Sequence, residues 1–388
     1  MASVSLTNIV DKILERAVAI QQIPGPTFAE RQRALYVKEL FEADGLADVG
    51  MDEDGNVYGR LPGAGLVKPL VVSAHLDTVF PAETDLTVHR EPGKIFGPGI
   101  GDNSLGVAGL FGLAWIMGSG KVKNMPAGSP QHRYPGDVWL VANVGEEGLG
   151  DLCGMRAVVD RFKDQVSAYI ILEGMALGQI YHRALGVRRY RITARTAGGH
   201  SWVNFGSPSA IHELAALVVA LTSLHLPKNP RTTLNVGMIS GGTSVNTIAP
   251  EAHLELDLRS EGSRTLSNLA HKVEEVTGGF NSPGVEMNLQ VIGSRPAGNL
   301  SVDHPLVQLA QVCLLKQGLK PKLNIGSTDA NIPLSLGLPA VCIGLTNGSG
   351  AHTVQEHMNI EPLAQGLGQL VSLVEGAFRL DQEVKPGG

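Results

Sequence analysis

The sequence is poor in cysteine and lacks any cluster of basic residues. Its three cysteines, Cys153, Cys313 and Cys342, are scattered without a CxxC spacing, so we expect no disulfide framework and a reducing compartment. The net charge of -6, with no block of lysine and arginine, argues against nucleic-acid binding. We find no secretory signal and no apolar run of the length that a bilayer requires. These absences predict a cytoplasmic protein with no membrane partner.

What is present is the composition of a globular protein, with 43% hydrophobic and 18% charged residues. At 388 residues, two domains are expected. Apolar strand patterns at residues 70–73, 137–143 and 167–172 alternate with helical patterns, among them an apolar helix at 104–117. This alternation predicts a sheet covered by helices on both faces. Residues 118–135, rich in Asn, Pro, Gly and Ser, are typical of a surface loop.

Near Leu185 the pattern changes. Strand patterns at 187–196, 233–240, 252–259 and 285–292, with helical patterns at 208–224 and 265–277, follow in the order β-α-β-β-α-β, a ferredoxin-like connectivity. After Pro296 the alternation of helices and apolar strands returns, with a strand at 340–344 between helices at 304–317 and 360–380. We therefore predict an α/β protein with a helix-flanked mixed sheet. Residues 1–184 and 297–388 form a discontinuous domain, and residues 185–296 form a smaller inserted one.

The most informative residues are His75 and Asp77, at the end of the apolar run 70–74. Side chains alternate with period two along an extended chain, so these two point the same way. An imidazole can then face a metal ion while the carboxylate orients it. Such a pair also occurs by chance, and its meaning depends on the other motifs.

Further acidic and histidine residues follow apolar strands or glycine-rich turns. Asp102 comes after the glycine-rich residues 97–101 and opens the apolar helix, where an Asp is as readily a helix cap. A dinucleotide site is disfavoured here, because no strand precedes the first glycine and the helix lacks the third. Glu146 and Glu147 follow the strand at 137–143, and Glu173 ends the next strand. His352 lies in a glycine-rich turn, with Glu356 four residues on.

The strand ends therefore offer one common site to a set of ligand-type residues: His75, Asp102, Glu147, Glu173 and His352, with Asp77 and Glu146 alongside. Two histidines and three carboxylates are too many for one zinc ion, which prefers four ligands including solvent. They suit two adjacent metal ions with one bridging carboxylate. Nitrogen and oxygen ligands without cysteine favour zinc, cobalt or manganese over iron–sulfur chemistry.

Six separated motifs carry these residues in a fixed order: Ala74-His75-Leu76-Asp77-Thr78, Gly101-Asp102-Asn103, Glu146-Glu147, Glu173-Gly174, Gly199-His200-Ser201 and Ala351-His352-Thr353. In this order they resemble the dinuclear zinc peptidase family of glutamate carboxypeptidase, peptidase T, aminoacylase and succinyl-diaminopimelate desuccinylase. A weaker match at residues 241–248 and 257–259 makes the inserted unit similar to the family's lid and dimerisation domain. In one departure, the family often has a lysine two or three residues after the aspartate of the second motif, whereas here Asp102 is followed by Asn103-Ser104-Leu105-Gly106.

The resemblance implies a role for each residue of the metal site. His75 and Glu173 would bind one metal ion, most readily zinc. Glu147 and His352 would bind the other, and Asp102 would bridge the two. Asp77 would orient His75. Glu146 would be the general base that takes a proton from the nucleophile, a metal-bridging water, and passes it to the leaving amine.

The resemblance also implies roles outside the metal site. His200 would donate to the developing oxyanion, in its own site or in that of a partner subunit of a homodimer formed through the lid. Asn246 and Arg259 would hold the substrate backbone and carboxylate, since Arg makes two parallel hydrogen bonds to a carboxylate. By alternation alone, Arg259 is as readily part of the solvent face of a strand. Gly348 and Ser349 would add backbone donors, and Asp329 either supports the site or is a turn residue.

The sequence thus predicts a dinuclear metallohydrolase that cleaves an amide bond in a short peptide or an N-acyl amino acid. Two features of the sequence disagree about whether the protein acts at the carboxyl end or the amino end of its substrate. In the family, Glu at position 173 is commoner among carboxypeptidases and deacylases, whereas the string Gly-Gly-Thr-Ser-Val-Asn at 241–246 is similar to the tripeptidase branch. We give Glu173 more weight, which leaves an aminopeptidase or tripeptidase as the alternative. A catalytically silent sensor of peptides or amino acids is more remote, because every ligand and the base are present.

Overall fold

The computed structural model describes residues 6–118 and 134–383. The predicted loop at 118–135 lies almost wholly outside them. The α-helices are α1 (Leu6–Gln21), α2 (Arg31–Ala43), α3 (Gly106–Gly118), α4 (Cys153–Phe162), α5 (Ala210–Thr222), α6 (Ser263–Gly278), α7 (Pro305–Lys316), α8 (Asn331–Ser335) and α9 (Leu363–Glu383). Two short helical turns, Ile100–Leu105 and Lys163–Gln165, precede α3 and follow α4.

The strands are β1 (Ala47–Met51), β2 (Val57–Leu61), β3 (Leu70–His75), β4 (His89–Glu91), β5 (Lys94–Phe96), β6 (Val138–Asn143), β7 (Ala168–Glu173), β8 (Gln179–Ala184), β9 (Gly186–Thr196), β10 (Gly199–His200), β11 (Thr232–Gly241), β12 (Thr247–Ile248), β13 (Glu251–Ser260), β14 (Val285–Arg295), β15 (Gly298–Asn299), β16 (Lys322–Gly326), β17 (Ala340–Gly344), β18 (Gly348–Ser349) and β19 (His357–Asn359). The contacts between residues divide the chain into two compact units. Unit 1 is Met1–Arg183 with Asn299–Gly388, and unit 2 is Ala184–Gly298.

Unit 1 is built on a mixed sheet whose strands run in the order β1-β2-β6-β3-β7-β17-β8, with β16 beside β8. The four central strands, β6, β3, β7 and β17, are parallel to one another. The flanking strands β2 and β8 join them antiparallel. The central strands are buried, with β3 and β17 buried along their whole length, as expected of parallel strands covered on both faces. The predicted fold class, an α/β protein with a helix-flanked mixed sheet, is confirmed.

The topology brings the carboxyl ends of the parallel strands to one edge of this sheet. In register, His75 at the end of β3 lies beside Asn143 at the end of β6, and Glu173 at the end of β7 lies beside Gly344 of β17. From β3 the chain forms β6 on one side and then crosses to form β7 on the other side. Open α/β sheets bind their ligands outside the strand ends where the strand order reverses in this way.

Helix α3 corrects one expectation from the sequence. Among the described residues, Ile100–Gly118 is long and apolar enough to cross a membrane by length and composition, so the expectation that no such run exists was wrong. However, 83% of that segment is buried inside the protein. Helix α3 packs against α1, α9 and β3, and a core helix surrounded in this way is apolar on every face. Its Gly112 lies so close to Ile13 of α1 that an added Cβ would come within 2.3 Å of the Ile13 Cδ1 atom.

Unit 2 has an antiparallel sheet in the order β11-β13-β9-β14, and its main elements follow one another as β9-α5-β11-β13-α6-β14. One face of this sheet is apolar and packs with α5 and α6, through residues such as Tyr190, Leu254 and Leu256. The other face carries cross-strand ion pairs, including Arg191 with Glu255. The alternation along β9 and β13 thus separates a core face from a polar face.

Candidate metal centre

Five side chains that sequence analysis selected as metal ligands lie together in unit 1. His75 ends β3 and Glu173 ends β7, while Glu147 lies in the turn that follows β6. Asp102 lies in the kinked turn Ile100–Leu105 before α3, and the Asp102–Asn103 peptide bond is cis. His352 lies in the turn after β18.

The Asp102 carboxylate lies between the two histidines. Its Oδ1 is 3.2 Å from the Nε2 of His75, and its Oδ2 is 3.2 Å from the Nε2 of His352. One carboxylate oxygen therefore faces each imidazole, as a bridging ligand requires. The contacts of the Asp102 carboxylate with the two histidines agree better with a metal-site residue than with a helix cap.

Two further carboxylates complete the cluster, one beside each histidine. The Glu147 Oε1 is 3.0 Å from the Nε2 of His352, and the Glu173 Oε2 is 3.8 Å from the Nε2 of His75. Donor atoms of His75, Asp102 and Glu147 all lie within 4.8 Å of one another. The set therefore divides into two groups, each with one histidine and one Glu, which share Asp102.

The electrostatics of the cluster favour positive charge within it. Hydrogen bonds that the His352 ring donates to the carboxylates of Asp102 and Glu147 raise the pKa of His352 to about 10. Burial alone would lower the pKa of His75, but its bonds to Asp102, Asp77 and Glu173 outweigh burial and raise that pKa well above its ordinary value. Carboxylates thus exceed imidazoles in a largely buried space, and such a set needs a cation. Two divalent ions with nitrogen and oxygen ligands fit these residues.

Asp77 joins the His75 strand to the turn that carries Glu146 and Glu147. The fully buried carboxylate has its Oδ1 3.4 Å from the Nδ1 of His75. The same oxygen accepts the backbone N–H of Glu146 at 2.9 Å, and Oδ2 accepts that of Glu147 at 2.8 Å. Oδ2 also accepts the hydroxyl of Thr27 at 2.9 Å. One side chain therefore lies beside His75 and binds the backbone of both adjacent glutamates, while the His75 Nδ1 is also 3.1 Å from the Asp77 carbonyl oxygen.

Asn103 joins the Asp102 turn to the segment that carries Glu173. Its Nδ2 donates to the carbonyl oxygen of Leu172 at 2.8 Å, and its Oδ1 accepts the N–H of Gly174 at 3.0 Å. The two bonds flank Glu173 on either side. Asn103, the last residue of the Gly101-Asp102-Asn103 motif, thus connects these two segments.

Glu356, to which sequence analysis gave no role, is fully buried beside the Asp102 turn. Its Oε1 accepts the backbone N–H groups of Gly101 and Asp102, both at 2.8 Å, and its Oε2 accepts that of Gly99 at 3.0 Å. Burial raises the pKa of Glu356 to about 7 despite these bonds.

Helix α2 and the residue before it supply two more buried charges. Arg33 is almost wholly buried and donates to the carbonyl oxygens of Leu76 and Ile23. Burial lowers the pKa of Arg33 to about 10. Glu30 accepts the N–H of Gly145 at 3.1 Å. Both residues therefore hold backbone next to Asp77 or Glu146, and no motif in the sequence identified them, because their partners are backbone atoms far along the chain.

Asp329 is buried behind the strand ends. Its Oδ2 accepts the Nδ2 of Asn143, the last residue of β6, at 2.7 Å. Burial raises the pKa of Asp329 to about 7. Of the two interpretations that the sequence left open, support of the site agrees with this position better than a solvated turn does.

Gly348 and Ser349 form β18, which pairs with β19 in a small sheet of unit 1. A Cβ at Gly348 would lie 2.2 Å from the Met175 Sδ, and one at Gly101 would lie 2.4 Å from the same sulfur. Met175, two residues after Glu173, therefore packs against glycines of both neighbouring segments.

The remaining predicted residues lie in unit 2, at two places. His200 of β10 is exposed, and its Nδ1 accepts the N–H of Trp202 at 3.2 Å. Asn246 directly precedes β12, and its backbone carbonyl oxygen accepts the N–H of Ser201. Arg259 lies on the polar face of β13, with its Nε 2.7 Å from the Asp257 Oδ2. His200 and Asn246 are thus on one β-ribbon, and Arg259 is on the main sheet.

The chain was compared with protein families and with curated proteins. Residues 71–376 match the model of peptidase family M20/M25/M40. The uncharacterized protein YqjE of Bacillus subtilis is 23% identical over 390 residues, which cover 95% of this chain and 99% of that protein. The [LysW]-lysine/[LysW]-ornithine hydrolase of Saccharolobus solfataricus is 27% identical over 140 residues, covering 36% of this chain and 38% of that protein.

Solved structures share the fold over almost the whole chain. A tripeptidase from Staphylococcus aureus has a TM-score of 0.77 at 21% identity, covering 95% of this chain and 99% of that one. The aminopeptidase PepT from Bacillus cereus has a TM-score of 0.75 at 22% identity, covering 95% and 98%. The YXEP protein of Bacillus subtilis, described as a dinuclear metal binding peptidase, has a TM-score of 0.68 at 15% identity, covering 96% and 99%.

We predict that Asp77→Asn destabilises the metal-free protein by about 1.5–3 kcal/mol, the usual contribution of a hydrogen bond to a charged group. An amide cannot accept all of the N–H and O–H groups that Asp77 accepts. The measurement is urea unfolding in the presence of a chelator. Asp85→Asn is the matched control, because Asp85 is exposed and accepts hydrogen bonds from nearby Thr87. Equal unfolding midpoints for the two variants would contradict the prediction.

Proposed function

Since the chain belongs to peptidase family M20/M25/M40, we propose that it is a two-metal hydrolase with carboxypeptidase- or deacylase-like polarity. Its substrate is a short peptide or an N-acyl amino acid, in which it cleaves an amide bond. The observation that carries this proposal is the Asp102 carboxylate with one oxygen toward His75 and the other toward His352.

We assign His75 and Glu173 to one ion, Glu147 and His352 to the other, and Asp102 to both. The separation of the five side chains into two groups supports this assignment, as does the likeness to a dinuclear metal binding peptidase. The donor set suits zinc, and also cobalt or manganese. Such ions would polarise the scissile carbonyl and lower the pKa of a bound water molecule.

Glu146 is the general base in this proposal. It is buried next to Glu147, and Asp77 fixes its backbone. Its carboxylate takes a proton from the attacking water as the water oxygen bonds to the carbonyl carbon. The same proton then passes to the nitrogen as the carbon–nitrogen bond breaks, so that the products are a carboxylic acid and an amine. Asp77 keeps His75 oriented throughout.

Residues of unit 2 act on the substrate. His200 donates to the developing oxyanion. Because its Nδ1 accepts an N–H group, a neutral ring carries its proton on Nε2 and can donate from there. Arg259 binds the substrate carboxylate, and its side chain is 41% exposed although Asp257 holds its Nε. Asn246 binds the substrate backbone, and Gly348 and Ser349 of unit 1 add backbone donors.

We further assign residues 1–184 and 297–388 to the catalytic domain and residues 185–296 to a lid, with a cytoplasmic location. The bounds of units 1 and 2 support the domain assignment to within two residues. Three free cysteines agree with a reducing compartment.

A tripeptidase or aminopeptidase with the same metal centre is the second candidate. The fold neighbours described as a tripeptidase and as aminopeptidase PepT favour it, together with the string at residues 241–246. Glu173 as a ligand favours the first candidate. The two differ in which end of the substrate must be free.

Dimerisation through unit 2 is part of the proposal. Strand β11 is at the edge of its sheet and has no charged residue or proline, although natural edge strands usually carry such protection. Met238 and Ile239 on β11 are 61% and 57% exposed, and Val219 on α5 is 65% exposed. A second copy that pairs along β11 would bury these side chains.

Replacing Glu146 with Gln is expected to lower kcat by about 100- to 10,000-fold, the usual contribution of a general base. The variant should bind the same number of metal ions as the parent, because Glu146 is not assigned as a ligand. Steady-state kinetics and metal analysis measure both quantities. The exposed Glu83→Gln variant is the control. A protein without turnover in which Glu146→Gln leaves ligand binding unchanged would point to the sensor instead.

The polarity is tested with two sets of dipeptides, one blocked at the amino end and the other at the carboxyl end. We expect cleavage of the amino-blocked set alone. Arg259→Gln should raise KM for that set by about 10- to 100-fold, since a charged hydrogen bond contributes about 1.5–3 kcal/mol. Arg191→Gln, an exposed arginine on neighbouring β9, should leave KM unchanged. Cleavage of the carboxyl-blocked set alone would establish the second candidate.

The dimer is tested by light scattering on the purified protein. We expect the mass of a dimer for the parent and of a monomer for Ile239→Lys, because the lysine places a charge at an exposed position of the β11 edge. Val291→Lys, at an exposed position on the opposite edge strand β14, is the control and should stay dimeric. A monomeric parent would refute the dimer, and a dimeric Ile239→Lys variant would place the interface elsewhere.

A further inference from the structure

The segment that carries Asp102 has little conformational stability of its own. Gly97, Gly99 and Gly101 precede Asp102 at alternate positions, and Gly99 adopts a positive φ of 70°. Glycine loses more conformational freedom on ordering than any other residue. A bridging carboxylate at the end of such a segment therefore needs an external anchor to keep its position between two histidines.

Glu356 is that anchor. Its two carboxylate oxygens accept three backbone N–H groups of the segment, those of Gly99, Gly101 and Asp102, at 2.8–3.0 Å. Its own carbonyl oxygen accepts the N–H of Gly97 at 3.0 Å. The full burial of Glu356 removes water as a competitor.

The anchor is itself tied to the segment of the second histidine. The N–H of Glu356 donates to the Thr353 carbonyl oxygen at 3.1 Å, and the N–H of Thr353 donates to that of Gly350 at 3.0 Å. His352 lies inside this turn, with a positive φ of 65°. Directly after Glu356, β19 pairs with β5. Glu356 thus connects two segments that are more than 240 residues apart in sequence.

We propose that Glu356 is a positioning residue that sets the distance of Asp102 from His352 and His75, so that the centre binds both metal ions tightly. Glu356 contacts neither an ion nor the substrate in this proposal. It acts through the backbone of Asp102. The proposal deepens the proposed function and rests on its two-metal centre.

The test compares Glu356→Gln with the parent and with Glu361→Gln, an exposed glutamate nearby. In the glutamine variant, an NH₂ group replaces one oxygen and opposes a backbone N–H. Co²⁺ is the probe, and its affinity and stoichiometry are measured by competition with a chromophoric chelator. We expect Glu356→Gln to bind Co²⁺ about 10- to 100-fold more weakly, the range found when residues behind metal ligands are changed. Glu361→Gln should bind like the parent.

Circular dichroism and the unfolding midpoint of the metal-free proteins separate positioning from general stability. A folded Glu356→Gln variant that binds two Co²⁺ ions as tightly as the parent overturns the proposal, even if its midpoint is lower. If that variant does not fold, Glu356→Asp replaces it, because the charge remains while the carboxylate retracts by one methylene group. Parent-like affinity in Glu356→Asp would again overturn the proposal.

The parent measurement keeps the two proposals distinguishable. A parent that does not bind two Co²⁺ ions refutes the two-metal centre, and with it the proposed function. A parent that binds two ions, together with an unchanged Glu356→Gln variant, refutes only the role of Glu356. Neither result depends on finding a substrate.

Discussion

Mutual repulsion among buried carboxylates is the constraint on which the rest of this structure depends. Asp102, Glu147 and Glu173 meet within a few ångströms, with Asp77 and Glu146 beside them. Bringing such groups together costs free energy, which burial increases. The parallel strands supply the scaffold, because their carboxyl ends meet at one edge of the sheet. The ions that we propose would supply the compensating positive charge, with the two histidines as neutral ligands.

The same constraint explains the buried polar side chains that surround the cluster. Each joins two segments that are distant in sequence: Asp77 joins β3 to the turn after β6, Asn103 joins the Asp102 turn to Glu173, and Glu356 joins that turn to the segment of His352. All three bind backbone groups, which fixes the main chain beneath each ligand. Residues that hold metal ligands from behind in this way contribute to the affinity of a site for its ion.

Much of the fold was predictable from the sequence. The buried strand at 340–344 and the six main elements of unit 2 were predicted within a few residues, because period-two and period-3.6 patterns are strong in them. Elements without such patterns escaped notice, among them α4 and the small strands β4, β5, β18 and β19. The segment Ile100–Gly118, which includes α3, has the length and composition of a membrane span, whereas the sequence was expected to contain no such run. Only its packing identifies it as a core helix.

For the site, the sequence by itself determined the residue types, since histidines and carboxylates at strand ends are visible in the order of the motifs. The tertiary structure decided which of them meet. It placed one oxygen of Asp102 toward each histidine and grouped each histidine with one Glu. It also gave uses to Asn103, Glu356, Arg33 and Glu30. The physical reason is that each of these side chains binds backbone atoms of another segment, and backbone atoms are the same at every position of a sequence.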